Sequence, residues 1–305
     1  MGFDKKVGYA VIGCGRISVS HLKAINQLSD YIYLIATVDI QEDRAREYCK
    51  EFGAKKYYTS VEDVLEDKAV EAVDLCLPPS EHCPVAVEAI NAGVHVVVEK
   101  PMCLTVAEAE QMVESADRKD VILMCGQSRR FNEPLIAAHE MLLSGEIGKL
   151  IHISAAAGGR SKKAAVWWWK EPSVTGPSNL VANWGSHYID QILWMANKRP
   201  VRVYAEGASY NEEFAGNDEF AVIIGFDDGL ICSYQHSYNA SFTDTGGVAY
   251  MGTTGTITLK GNEVHLNGEK VKGVGTNVNN FTAEIKEFVT AIRENRQPIA
   301  SGQEI

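Results

Sequence analysis

Apolar runs and polar interruptions alternate regularly through the first 126 residues. Val7 to Gly13 is apolar at nearly every position, which predicts a strand buried on both faces. After a short glycine-bearing segment, Ile17, His21, Ala24, Ile25 and Leu28 recur at helical spacing and predict one apolar helix face. Tyr33 to Val38 is apolar again and ends at Asp39. Ser60-Val61-Glu62-Asp63 reads as a helix start, Ala72 to Leu77 as a strand, and Pro84 to Asn91 as a helix capped by Gly93. Val96-Val97-Val98 is a short dry strand, Thr105-x-x-Glu108 is a capping box, and Val121 to Gly126 is a further strand. Strands and helices alternating at this spacing predict a doubly wound parallel sheet.

The rhythm changes after Gly126. A helix is expected from Pro134 to about Leu143, and then the period shortens to two. Phe220, Val222, Ile224 and Phe226 alternate, Asp227-Asp228-Gly229 turns, and Leu230, Cys232, Tyr234, His236 and Tyr238 alternate back. Thr256 to Leu259, Val264 to Leu266 and Val271 read as shorter strands, with Asn267-Gly268 as a two-residue hairpin turn. Phe281, Ile285, Phe288, Val289 and Ile292 form the stripe of an amphipathic helix. The expectation is an α/β domain over residues 1–126, then an α+β domain with a large open, mainly antiparallel sheet over residues 127–305. A sheet with helices on one face leaves its other face for self-association.

Composition narrows the partners. The chain has 305 residues, enough for two cores, with 46% hydrophobic and 23% charged residues. A net charge of −11 argues against nucleic acid and anionic membranes and leaves small anionic ligands open. Seven cysteines occur without a C-x-x-C pair, and Cys14, Cys76 and Cys125 lie in apolar runs. They read as reduced core thiols of a cytoplasmic protein, and no metal site is expected. No secretory leader pattern opens the chain and no apolar run is long enough to span a bilayer.

Four stretches carry candidate chemistry. Gly13-Cys14-Gly15-Arg16-Ile17-Ser18 lies between a strand and a helix. Gly13 permits a tight turn, Gly15 lets a pyrophosphate approach the helix N-terminus, and Ser18 is small enough for close packing. With an acid closing the second strand, this is a dinucleotide-binding unit. Asp39 would accept hydrogen bonds from ribose hydroxyls and repel a 2′-phosphate, which favours NAD over NADP; the plainer reading is an acid ahead of the next helix. His21 lies on the apolar stripe and reads as a core histidine. The second stretch is Glu99-Lys100-Pro101, where a dry strand stops in charge at the carboxyl edge of the sheet. A lysine held there, partly desolvated, exchanges protons nearer neutrality. The third is Trp167-Trp168-Trp169-Lys170, where at least one indole is expected in a cleft or an interface. The fourth is Asn183 to Gln191, which as a helix puts Asn183, His187, Gln191 and Trp194 on one side, opposite Ile189, Ile192, Leu193 and Ala196.

Together with Pro78-Pro79-x-x-His82 and Asn183-x-Gly185-x-His187-x-x-Asp190, these motifs resemble the Gfo/Idh/MocA family over nearly the whole chain. The resemblance implies a Rossmann domain joined to an open-sheet domain. It also implies oxidation of a ring hydroxyl, or reduction of the ketone, of a sugar, cyclitol or derivative with a nicotinamide cofactor, in a homodimer or homotetramer. On that resemblance Gly13, Gly15, Arg16, Ile17, Asp39, Leu77, Pro78, His82, Glu99 and Lys100 hold the cofactor. Lys100 and His187 share the proton chemistry, either being the base, with Asn183 orienting His187. Arg129, Trp169, Lys170 and Asp190 are substrate contacts. Two departures stand out: Asn183 replaces the usual aspartate, and the family's further helix after a segment like Pro298 to Gly302 is missing before Ile305. A glycoside-cleaving enzyme that retains NAD, and a non-catalytic NAD-binding sensor, are the alternatives.

Overall fold

The computed structural model describes residues 6–240, 246–277 and 280–305. The chain forms two compact units, Met1–Ser128 with Phe281–Ile305, and Arg129–Asn280.

The first unit follows the alternation read from the sequence: β1 (Val7–Ile12), α1 (Ser18–Gln27), β2 (Ile32–Val38), α2 (Glu42–Phe52), β3 (Lys56–Tyr58), α3 (Val61–Glu66), β4 (Ala72–Leu75), α4 (Pro79–Asn91), β5 (His95–Glu99), α5 (Val106–Lys119) and β6 (Leu123–Gly126). The six strands are parallel in the order β3-β2-β1-β4-β5-β6, the Rossmann order. The strand order reverses beside β1, so the loops after β1 and β4 diverge there and open a crevice at the carboxyl edge. Val96, Val97 and Val98 are at most 1% exposed. Burying each contributes on the order of 1.5–3 kcal/mol, which anchors the charged turn that follows. Thr105 and Glu108 form the expected reciprocal capping box of α5.

Within the second unit, α6 (Glu133–Leu143) precedes β7 (Leu150–Gly158), α7 (Pro172–Thr175) and α8 (Ser186–Ala196). Then come β8 (Pro200–Ala208), β9 (Glu219–Phe226), β10 (Ile231–Ser237), β11 (Gly247–Gly252), β12 (Thr256–Lys260), β13 (Glu263–Leu266) and β14 (Glu269–Lys270). They make one eight-stranded sheet, β14-β13-β12-β11-β7-β10-β9-β8. Every pair is antiparallel except β7–β10, so the sheet is mixed. Asn267 and Gly268 both have positive φ, +52° and +88°, which is the turn their sequence predicts.

Three expectations change. Helix α4 starts at Pro79, not Pro84; Pro79 occupies the first turn, where a missing N–H costs nothing, and Pro84 is carried inside the helix. Strands β7, β8 and β11 carry weak signals. β7 ends in alanines and glycine, and β8 is exposed along almost its whole length, so neither shows a clean period of two. The last helix, α9 (Phe281–Glu294), belongs to the first unit and packs on α1, whereas the sequence reading assigned it to the second domain. Phe288 meets the edge of Tyr9 from β1, with ring centroids 6.2 Å apart.

The stripe of α9 also contains an acid. Glu284 is fully buried, and burial holds its carboxyl well above the ordinary glutamate value, with only His21 opposing. A raised acid contributes stability fully below its unfolded value and loses it as pH rises through the folded one. Glu284→Gln should therefore match the wild type near pH 4 and exceed it by a few degrees in Tm near pH 8, as thermal unfolding across that range will show.

Candidate active site

The glycine loop after β1 is built for close approach. Gly13 has φ +96°, and a Cβ there would come within 2.5 Å of the Cys76 carbonyl oxygen. Gly15 faces open space, with nothing within 4 Å of where its Cβ would stand. Ser18 is fully buried, and its hydroxyl donates to the Gly15 carbonyl at 2.7 Å. Arg16 and Ile17 are exposed at the entrance to α1. An open backbone leading into a helix N-terminus suits a pyrophosphate.

Asp39 follows the end of β2 and is tied to the same loop. One carboxylate oxygen accepts the Cys14 backbone N–H at 3.0 Å and the other accepts that of Gln41 at 2.9 Å. Arg44 stands 3.6 Å from the first of these oxygens. The carboxylate is thus oriented but retains lone pairs for ribose hydroxyls. The residues present fit a dinucleotide.

Across the crevice, Leu77 and Pro78 follow β4, and Glu99 closes β5 ahead of Lys100 and Pro101, with a cis Lys100–Pro101 peptide. His82 joins the two segments. It is fully buried, with Nδ1 2.8 Å from the Pro101 carbonyl oxygen and Nε2 2.9 Å from that of Leu77. Its ring is thus committed to backbone and holds the loop walls. Burial pulls the Lys100 ammonium below the ordinary lysine value, while Glu99 pushes the other way. Glu99 is buried and accepts from the Lys100 backbone N–H at 3.1 Å.

The second unit holds the other named residues. A π-helical turn, Val181–Gly185, leads into α8 and widens the chain just where α-helical spacing was expected. Asn183 lies on that turn, and its amide donates to the Tyr238 hydroxyl at 3.2 Å, which in turn donates to Asn179. His187 lies on the first turn of α8, its ring centroid 6.1 Å from that of Trp184. Gln191 and Trp194 do not share an open face with them: Gln191 is fully buried and donates to the Tyr250 hydroxyl at 2.6 Å, and Trp194 stacks on His139. Asp190 is buried and accepts three hydrogen bonds from Arg130, the shortest 2.6 Å, so its carboxylate holds the framework.

Arg129 lies over the face of Tyr188 at 4.2 Å. Trp167 is 70% exposed, while Trp169 is half-buried and lies parallel to Tyr238, with ring centroids 6.5 Å apart. Lys170 pairs with Glu213 at 2.7 Å on the surface. Three side chains on and just after β10 escaped the sequence reading as site residues. Tyr234, His236 and Tyr238 sit on its buried face, and His236 touches the aromatic group around Trp184 and Tyr188. Burial, then Arg129, lowers His236 to about 4, so the ring is neutral. Their period of two gave the face but not its chemistry. All seven cysteines are free thiols.

Removing the Asp39 carboxylate would leave Arg44 without its acid beside the loop. Asp39→Ala should raise the NADP to NAD ratio of kcat/KM by roughly tenfold or more, since about 1.4 kcal/mol is tenfold. Steady-state kinetics with each cofactor checks this.

Two family models match, both of the same family. The oxidoreductase family, NAD-binding Rossmann fold model covers residues 7–127, and the GFO/IDH/MocA C-terminal domain model covers residues 135–258. The chain is 25% identical to myo-inositol 2-dehydrogenase of Thermotoga maritima, over 96% of this chain and 90% of that protein. It is 23% identical to the scyllo-inositol 2-dehydrogenase (NAD(+)) of Bacillus subtilis, over 98% and 90%. Among solved structures, the WlbA dehydrogenase of Bordetella pertussis, in complex with NADH and UDP-GlcNAcA, superposes with a TM-score of 0.87 at 23% identity, over 98% of this chain and 92% of that one. Glycine loop, Asp39, the charged end of β5 and both matched domains lead to one conclusion: the chain belongs to the Gfo/Idh/MocA family of NAD-binding oxidoreductases.

Proposed function

We propose that this enzyme oxidises a ring carbinol of a sugar or cyclitol with NAD⁺, with Lys100 and His187 handling the proton. The chain is an NAD(P)-linked dehydrogenase acting on CH–OH groups. The observation that carries the finer reading is Lys100, fixed by a buried strand at the carboxyl edge of the sheet, with its ammonium destabilised by burial. A bound nicotinamide supplies the hydride acceptor. What remains for the protein is to remove the carbinol proton as the C–H bond breaks and to stabilise negative charge on oxygen.

Two groups are candidates for that task. A lysine with a lowered pKa is neutral in larger fraction near neutrality, so more of it is available as a base. His187 is the second candidate base, with Asn183 as its orienting amide. Arg129, on the face of Tyr188, and Trp169 supply a cation and an indole suited to a polar ring with a C–H face. Lys170 is a weaker contact, being paired with Glu213. The names of the inositol dehydrogenases among its relatives support the same substrate class. Tyr204, Ile223 and Ile231 stand exposed on one face of the second unit's sheet, and we propose that this face pairs with a second copy.

A panel of sugars, polyols and glycosides with NAD⁺ tests the reading. Net NADH with a free sugar or polyol supports it. Aglycone release without net NADH points to a glycoside-cleaving enzyme, and binding of NAD with neither product to a sensor. Lys100→Met should lower kcat by about two or more orders of magnitude while NAD affinity holds; near-normal turnover sinks the assignment.

Asn183→Asp separates the two candidate bases. A carboxylate at 183 favours the imidazolium of His187. If His187 is the base, the acidic limb of the kcat/KM profile for oxidation should move upward by on the order of one pH unit. A limb that stays in place there but shifts in Lys100→Arg identifies the lysine as the titrating group.

A further inference from the structure

The turn that carries Lys100 hangs from buried charge that the reaction above does not use. His21, on the inner face of α1, is 1% exposed. Its Nδ1 lies 2.8 Å from Oδ2 of Asp74 on β4, and its Nε2 lies 3.0 Å from Oε1 of Glu99 at the end of β5. A neutral imidazole has one N–H and can donate to only one of these carboxylates; the other contact would oppose two lone pairs. With both carboxylates ionised, as the lowered Glu99 favours, only the imidazolium satisfies both, through two charge-assisted bonds. Burial alone opposes that charge, but Asp74, then Cys76, together with their hydrogen bonds, outweigh burial and hold His21 well above the ordinary histidine value. Both ring nitrogens are directed at carboxylate oxygens, so no lone pair remains for a metal at the His21, Asp74 and Cys76 cluster.

Every neighbouring element contributes a titratable group. Tyr9 faces the cluster from β1, Cys76 from the end of β4 and Glu284 from α9; burial raises all three, which favours their neutral forms. The Cys76 thiol lies 3.6 Å from the second oxygen of Asp74. His82 from α4 and Lys100 act on Glu99, and Cys125 from β6 acts on Lys100. Burial pushes Glu99 up, but the hydrogen bond and charge of His21, then Lys100, bring it below the ordinary glutamate value. One buried cation and two buried carboxylates remain, and the free oxygen of Glu99 accepts the Lys100 backbone N–H.

We propose that His21 and Glu99 are positioning residues for Lys100. The imidazolium of His21 ties the Glu99 carboxylate to β4, and that carboxylate fixes the Lys100 backbone and supplies the negative charge its ammonium faces. The proposal rests on Lys100 being a proton-handling group of the reaction above.

Two measurements on the intact chain test it without a substrate. In protein labelled with ¹⁵N-histidine, the His21 ring, assigned by its contacts to Phe281, whose ring centroid is 4.9 Å away, should carry two N–H protons at pH 8.5. A singly protonated ring at that pH overturns the proposal. The second measurement is the pH dependence of Lys100 acetylation by acetic anhydride, read by peptide mass spectrometry. Glu99→Gln should lower the midpoint by on the order of one pH unit, because the charge that favours the ammonium is gone. Asp74→Asn, which leaves Glu99 ionised, should move it by less than half as much. A midpoint unchanged in Glu99→Gln overturns the proposal, and if that variant does not fold, the ring-proton measurement decides alone. Normal turnover in Lys100→Met would overturn the proposed reaction while leaving the ring-proton result intact, so the two failures are distinguishable.

Discussion

Strand β5 has water on neither face. Val96, Val97 and Val98 are sealed between β4 and β6, and Glu99 directly after them is buried too. A strand placed this way cannot shift register without pulling valines into polar surroundings or charge into the core. That rigidity reaches Lys100 through a single peptide unit. The glycine loop beside β1 and the segment after β4 are set by the same sheet, so the positions of Lys100 and of the glycine loop follow from one packing constraint.

Buried charge adds cost and definition. Ion pairs taken out of water give little net stability, yet breaking one by removing a partner is expensive. The Arg130–Asp190 pair in the second unit and the Asp74–His21–Glu99 bridge in the first are both almost completely enclosed. Each ties one secondary-structure element to another at a place bearing a named site residue. Asp190 lies one turn beyond His187 on α8, and Glu99 precedes Lys100. Buried ion pair and proposed proton-handling residue are therefore adjacent along the chain in both units.

Much of this was legible in the residues. The glycine loop, Asp39 and the valine strand ending in charge announce themselves because their period, their breaks and their polarity all agree. The buried relay was only half legible. His21 could be assigned to the core from its spacing, but its partners come from β4 and β5, 53 and 78 residues away, and nothing local reports them. Gln191 follows His187 by one regular turn of α8, as its spacing says, but that turn is buried against Tyr250, and only Asn183 is displaced by the π-helical turn ahead of the helix. Exposed β8 shows no alternation to read, because neither of its faces is sealed.

The return of α9 to the first unit makes that unit discontinuous. Some 152 residues, Arg129 to Asn280, must be synthesised between β6 and the helix that covers Tyr9 and His21. At roughly 5–20 residues per second, the wait lasts on the order of ten to thirty seconds. Throughout it, α1 lacks the apolar stripe of α9 that will pack against it. The nascent Rossmann sheet therefore emerges with a hydrophobic flank open to chaperones, and a ribosome stalled within the second unit would leave that flank permanently uncovered.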